Sequence, residues 1–168
     1  DAVKLVQLRG QLMQAAVPSG QGAMGAIIGL DDKSIQQLCE EAAQGEILSP
    51  ANYNSPGQVV IAGNTAAVNR ALEMARAKKV QVAKLLPVNI PSHCELMRPA
   101  ALKLKDHLDA ITIKPPKIPI LHNYDIKPHE DADTIRKALI EQLTLPVRWV
   151  ETVREMERLG VTNIIECG

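Results

Sequence analysis

The run Asn52-Tyr53-Asn54-Ser55-Pro56-Gly57-Gln58-Val59-Val60-Ile61-Ala62-Gly63 decides the fold. Its centre, Asn54-Ser55-Pro56-Gly57, is made of turn formers, and it separates two short segments, Ile47 to Tyr53 and Gln58 to Ala62, that read as strands of a hairpin. Outward from the hairpin the pattern is regular. Upstream, Asp31 or Asp32 caps a helix whose apolar face is Ile35, Leu38, Cys39, Ala42 and Ala43, and before that Ala23 to Leu30 is an apolar strand. Downstream, a helix starting near Asn64 buries Ala67, Val68, Ala71, Leu72 and Ala75, and Val80 to Val88 reads as a strand. The order β-α-β-β-α-β is that of a ferredoxin-like unit, with both helices on one face of the sheet.

The flanks follow another rhythm. Ala2, Leu5, Val6, Leu12, Met13 and Ala16 recur at helical spacing over residues 2–16, and Pro18-Ser19-Gly20 ends that helix. Beyond the hairpin lobe, the pattern predicts a helix over 92–110 with Met97, Ala100, Ala101, Leu104 and Leu108 on one side. A strand from Ile118 to Leu121 follows, framed by Pro115-Pro116 and Pro119. Helices over 132–144 and 147–159, split by Pro146, lead to a last strand from Val161 to Ile165. This is a partial α/β layer that needs further strands to cover it. The expected division is a large subdomain from 1–18 and 90–168, interrupted by a ferredoxin-like subdomain over 19–89. The chain starts without Met inside a helical pattern and stops just past a strand-like run, so both ends read as cut.

Composition excludes several function classes. Nineteen basic residues balance nineteen acidic ones, so no net field draws nucleic acid or an anionic membrane. Only Trp149, Tyr53 and Tyr124 are aromatic and there is no Phe, so a single-strand binder would lack its stacking platform and the core must be aliphatic. Three cysteines, Cys39, Cys94 and Cys167, form no disulfide framework, and a reducing cytoplasm is the expected setting. No apolar run reaches the length of a membrane span.

Few residues carry chemistry on spacing alone. Ser92-His93-Cys94-Glu95 is expected to open a helix, with Ser92 as N-cap paired to Glu95 in a capping box. His93 would then sit in the first turn, where the macrodipole disfavours the imidazolium and leaves the neutral ring that a general base requires; the plainer alternative is a capped surface or core histidine. Arg9 lies on the apolar stripe of Leu5, Val6, Leu12 and Met13. An internal salt bridge or a stem reaching to the edge accounts for it most simply, and a bidentate clamp for a substrate carboxylate is the functional reading. Gln142 shares a face with Ile135, Ala138 and Leu139, so it is either a satisfied core amide or a wall of a site. His107, His122 and His129 have no metal-site spacing, Gly20-Gln21-Gly22 is not a phosphate loop, and G-x-S-x-G is absent.

Several blocks together resemble the malonyl-CoA:acyl carrier protein transacylase family in its free-standing bacterial form. They are Leu8-Arg9-Gly10, Gly22-Ala23-Met24 with Gly29-Leu30, the Asn52–Gly63 run, Pro91-Ser92-His93, and Gln142-Leu143 before Pro146-Val147-Arg148-Trp149. The resemblance implies an α/β fold, namely an α/β-hydrolase-like large subdomain with an inserted ferredoxin-like one. It implies His93 as the catalytic histidine, oriented by main-chain carbonyls, Arg9 as the holder of the malonyl carboxylate, and Gln142 near the site. Asn52 and Asn54 would line the cleft from the small subdomain. Its partners would be malonyl-CoA and the phosphopantetheine arm of acyl carrier protein, with no metal or redox cofactor. Ile90-Pro91-Ser92-His93 lacks the aromatic residue of the corresponding tetrads in modular synthases, which favours a discrete enzyme of fatty acid biosynthesis.

Two other readings stay open: a non-catalytic ligand-binding or regulatory module built on the ferredoxin-like unit, and an acyltransferase domain of a larger polyketide-type synthase. The resemblance also implies a serine nucleophile in a G-x-S-x-G elbow before the Arg9 helix, and these 168 residues do not contain it. The chain alone should therefore have no transacylase activity, since His93 has no hydroxyl to activate. Transfer of a malonyl label to acyl carrier protein by the purified 168-residue chain, above the buffer rate, would overturn that expectation.

Overall fold

The computed structural model describes residues 2–167. Its first lobe is a four-stranded sheet, β1 (Gly22–Ile28), β2 (Leu48–Ser55), β3 (Gln58–Asn64) and β4 (Val82–Leu85), in the order β2-β3-β1-β4. All three pairings are antiparallel, with β1 running from Gly22 opposite Asn64 to Ile28 opposite Gln58. Between the strands lie α2 (Asp32–Ala43) and α3 (Thr65–Ala77). Asp31 caps α2 by accepting from the Ser34 amide at 2.7 Å. Asn64 precedes α3 but turns its Oδ1 outward to the Ile47 amide, at 2.8 Å, tying that helix start to the entry of β2.

Strand alternation sends the side chains of this lobe to two cores. Val59 and Ile61 pack with Ile27 against Ile35, Leu38, Val68 and Leu72 of the two helices. Val60 and Ala62 join Met24 and Ala51 on the opposite face, where Cys94 and Leu96 cover them. Each fully buried Leu or Ile contributes roughly 1.5–3 kcal/mol. The opposite face of the sheet is thus closed by the segment that carries His93.

The second lobe has a core of its own, which gathers Met13 of α1 (Ala2–Ala16), Met97, then Ala100, Ala101, Leu104 and Leu108 of α4 (Arg98–Asp109), and Leu143. A short hairpin of β5 (Leu121–His122) and β6 (Lys127–Pro128) precedes α5 (Ala132–Glu141) and α6 (Trp149–Arg158). The Arg136 guanidinium of α5 donates to the carbonyls of Leu108 and Ile111 at 3.0 and 2.9 Å, satisfying the open end of α4. The two lobes are joined at the edge strand. The Val147 amide donates to the Ala51 carbonyl at 2.8 Å, and the Tyr53 amide donates to the Val147 carbonyl at 2.9 Å. Among the described residues no helix is long and apolar enough to cross a membrane.

Five expectations are corrected. The fourth strand covers only Val82–Leu85 instead of 80–88, because it has a single neighbour, β1, and Pro87 cannot extend the ladder. The strand at 118–121 shrinks to Leu121–His122, its approach having lost three amide donors to proline. Val161 to Ile165 forms no strand; it joins no strand pairing among the described residues, and Ile165 is 84 % exposed. The hairpin loop tightens to Pro56-Gly57, since Ser55 still pairs with Gln58. Finally, no helix opens at Ser92: a 3₁₀ turn covers Glu95–Met97 and α4 follows from Arg98. There is no capping box, because the Glu95 carboxylate turns forward to Arg98 instead of back to Ser92.

Gly63 shows how closely β2 and β3 approach. A Cβ there would collide with the Ile47 carbonyl oxygen and come within 2.7 Å of the Leu48 Cα, both main-chain atoms that cannot step aside. Gly63→Ala should therefore cost at least about 3 kcal/mol of stability, read as a lowered denaturant midpoint at unchanged slope.

Candidate active site

The site starts from a turn. Pro91 is fully buried, the Ser92 amide donates to the Ile90 carbonyl at 2.9 Å, and the Cys94 thiol donates to the Pro91 carbonyl at 3.2 Å. This leaves His93 at φ 61°, in the left-handed region, which costs a non-glycine residue on the order of 1 kcal/mol or more. Two bonds to the residues just past α5 hold it there. The His93 amide donates to the Leu143 carbonyl at 3.1 Å, and ring Nδ1 lies 2.8 Å from the Gln142 carbonyl oxygen. A carbonyl can only accept, so Nδ1 carries the hydrogen and Nε2 is left as a bare base. The imidazole is kept neutral chiefly by burial, which lowers its pKa; the charge of Arg9 pushes the same way, and the main-chain carbonyls of Gln142 and Leu145 favour the proton and oppose both. The expected macrodipole effect is corrected accordingly: His93 precedes the helix, and desolvation does the work.

Arg9 sits on the inner side of α1. Its Nε is buried without a hydrogen-bond partner, and no carboxylate pairs with its guanidinium among the described residues. Burial lowers its pKa. The internal salt bridge that would have explained it most simply does not form among the described residues. An unsatisfied buried donor on a charged group costs about 1–3 kcal/mol or more, which a bound anion would recover.

Gln142 ends α5. Its main chain serves His93, and its side-chain Nε2 donates to Asn123 Oδ1 at 3.1 Å. Asn123 had no distinguishing signal in the sequence, being one polar residue among several between two proline-containing stretches. It reaches the site because its own carbonyl accepts from the Arg148 amide at 3.0 Å, which pins the β5–β6 hairpin against the start of α6.

Arg9, His93, Gln142 and Asn123 line one cavity of about 390 Å³, walled otherwise by Leu5, Val6, Leu104, Leu108 and Leu139. Asn52 and Asn54 do not line it. Ser92 faces a different cleft, of about 530 Å³, and so stands apart from the bare imidazole nitrogen. The neighbouring Cys94 is no nucleophile either, as burial pushes its thiol up to about 11. The wall therefore offers a base and a cation but holds no paired acid and no nucleophilic oxygen at the ring.

A neutral imidazole and a guanidinium without an ion-pair partner among the described residues thus line one aliphatic hollow, an arrangement able to move a proton close to a bound anion. The chain belongs to the acyl transferase domain family, whose model matches residues 1–167. It is 52% identical over 168 residues to the malonyl CoA-acyl carrier protein transacylase of Escherichia coli K12, covering 100% of this chain and 54% of that protein. The solved malonyl CoA-acyl carrier protein transacylase from Coxiella burnetii superposes with a TM-score of 0.94 at 53% identity, over 95% of this chain and 51% of that one. A malonyl-transacylase solved in complex with a type II polyketide synthase acyl-carrier protein is similar too, with a TM-score of 0.93 at 52% identity, over 95% and 52% of the two chains. The chain thus spans about half the length of the curated relatives it matches.

The electrostatics of the site can be tested without turnover. His93 should titrate below the ordinary histidine value of about 6.5. Arg9→Ala removes a charge that disfavours the imidazolium, so it should move that titration to higher pH. Histidine ring NMR against pH checks both; an unmoved His93 in the variant would separate the two groups.

Proposed function

We propose that this chain supplies the base and the carboxylate receptor of an enzyme of fatty acid biosynthesis that moves a malonyl group from malonyl-CoA to the phosphopantetheine thiol of acyl carrier protein. The observation that carries this is the pairing in one cavity of the bare His93 Nε2 with an Arg9 guanidinium whose Nε is buried and unpartnered. The names of the similar proteins support the choice of malonyl-CoA and acyl carrier protein. A non-catalytic module would have no need of either group in that state, and nothing favours a larger synthase.

In this reading a serine outside these residues gives its proton to His93 Nε2 as its oxygen attacks the thioester carbon. The carbon–sulfur bond then breaks and the CoA thiolate takes the proton from the imidazolium. The carrier-protein thiol repeats the exchange, losing its proton to Nε2 and releasing the serine oxygen, which is reprotonated. Arg9 holds the malonyl carboxylate throughout, which positions the acyl carbon as well as selecting it. Gln142 borders the substrate and orients the imidazole through its carbonyl.

The proposed organisation is an α/β-hydrolase-like subdomain from 1–18 and 90–168, and a ferredoxin-like one over 19–89. The strand order β2-β3-β1-β4 with α2 and α3 on one face supports the second part of it. Three free cysteines support a cytoplasmic setting.

The test is kcat/KM for malonyl-CoA and acetyl-CoA in the full-length protein and its Arg9→Ala and Arg9→Lys variants. Truncating one member of a buried charge pair costs about 2–5 kcal/mol, so Arg9→Ala should lose on the order of 30- to several-thousand-fold with malonyl-CoA. Acetyl-CoA has no carboxylate, and its kcat/KM should hold or rise. Lysine should rescue poorly, offering a point charge in place of a fork. Equal losses on both thioesters would reduce Arg9 to a structural residue.

A further inference from the structure

Asn123 lines the cavity from the β5–β6 hairpin, an element separate from those that carry Arg9 and His93, and its amide is already half committed. Oδ1 is taken by the Gln142 Nε2 donor at 3.1 Å, and among the described residues no hydrogen bond engages Nδ2. An asparagine amide has one oxygen and one NH2 group, so fixing the oxygen fixes where the two N–H donors stand. The backbone behind it is rigid. The Arg148 amide donates to the Asn123 carbonyl at 3.0 Å, the Ile126 amide closes the hairpin on the His122 carbonyl at 2.8 Å, and His129 Nε2 lies 2.8 Å from Asp125 Oδ2. A side chain held on both sides in this way presents its free group with little freedom left to lose.

The polar wall then has a definite bias. The Gln142 main-chain carbonyl is used by His93 and the Asn123 oxygen by Gln142, while the Arg9 guanidinium and the Asn123 NH2 group have donors to spare. A carboxylate accepts at about four lone-pair positions, and a guanidinium fork serves only two of them. The fork alone also permits the carboxylate to rock about the axis that joins the two groups. A third donor, off that axis, would set the plane of the carboxylate and hence the direction in which the acyl chain leaves it toward His93.

We propose that Asn123 is a specificity-determining residue whose NH2 group donates to the substrate carboxylate held by Arg9. This rests on the reading of Arg9 as a carboxylate receptor and adds to it a second, neutral point of contact on a separate element of the fold. The rival account is that Asn123 only anchors Gln142, and so holds the carbonyl that orients His93. That role would affect any acyl group alike, whereas a donor to the carboxylate affects only substrates that carry one.

The experiment compares kcat/KM for malonyl-CoA and acetyl-CoA in the full-length protein and in Asn123→Ala, Asn123→Asp and Arg9→Ala. A hydrogen bond to a charged group sets the expected size: the malonyl-to-acetyl ratio should fall about tenfold to a hundredfold in Asn123→Ala. Asn123→Asp keeps an oxygen for Gln142, and with it the hairpin anchor, but places a negative oxygen where the donor stood. Its ratio should fall at least as far, and it carries the test if the alanine variant does not fold. An unchanged ratio in Asn123→Ala or in Asn123→Asp, while Arg9→Ala remains selective, overturns this inference alone. A non-selective loss in Arg9→Ala overturns the carboxylate reading and this inference with it.

Discussion

Two carbonyl oxygens just beyond the end of α5 organise the rest of the site. The last carbonyls of a helix have no partner within it and must find donors elsewhere. Here the Gln142 and Leu143 oxygens find both of theirs on one residue, the ring and the amide of His93. A single pair of contacts thereby closes the region after a helix, holds a left-handed residue in place and settles which imidazole nitrogen carries hydrogen. Leu143 is itself fully buried in the core of α1 and α4, so the imidazole is referenced to the packed core of the second lobe. No carboxylate is needed behind the histidine, which is consistent with a ring meant to stay neutral: an acid there would favour the imidazolium.

Burial works on both titratable groups in the cavity. It lowers the pKa of Arg9 and of His93, and the Arg9 charge further disfavours a proton on the ring. The guanidinium remains ionised regardless, because its unperturbed pKa lies so far above neutrality. Desolvation thus acts as a bias toward one combination of states, cation plus neutral base, in an empty cavity. An anion that docks on Arg9 would relieve that bias and make the ring more basic. Arg9 and His93 are therefore electrostatically linked through the cavity they share.

Much of the first lobe was legible because its signals are local. Alternation in Val59 to Ala62, the turn at Pro56-Gly57, and the helical faces of Ile35 and Val68 all follow from the residues themselves, and each element packs as its pattern requires. Errors gathered where a partner decides the outcome. Val161 to Ile165 has the residues of a strand but no ladder to join, and Ser92 has the residues of a cap but sits in a turn whose amides are claimed by Ile90 and Leu143. Arg9, His93 and Gln142 stood out as polar residues in apolar or helix-start positions. Their meeting in one cavity depends on α1, α4 and α5 packing together, which spacing along the chain cannot express. Asn123 was invisible for the same reason, since only the hairpin fold brings it to Gln142.

The fastening between the two lobes has a consequence for how such a chain can diverge. The bonds that dock Val147 onto the edge strand at Ala51 and Tyr53 run entirely between amides and carbonyls. The bonds themselves do not depend on side-chain chemistry, and what limits those positions is packing, since Ala51 is fully buried against Val60, Ala62 and Cys94. An imino acid at 53 or 147 is the single kind of substitution that would remove a donor from the joint. Each lobe can accordingly change its surface and the lining of its clefts on its own schedule, while main-chain bonds keep the two in register beside the packing of Cys94 and Leu96 on the sheet.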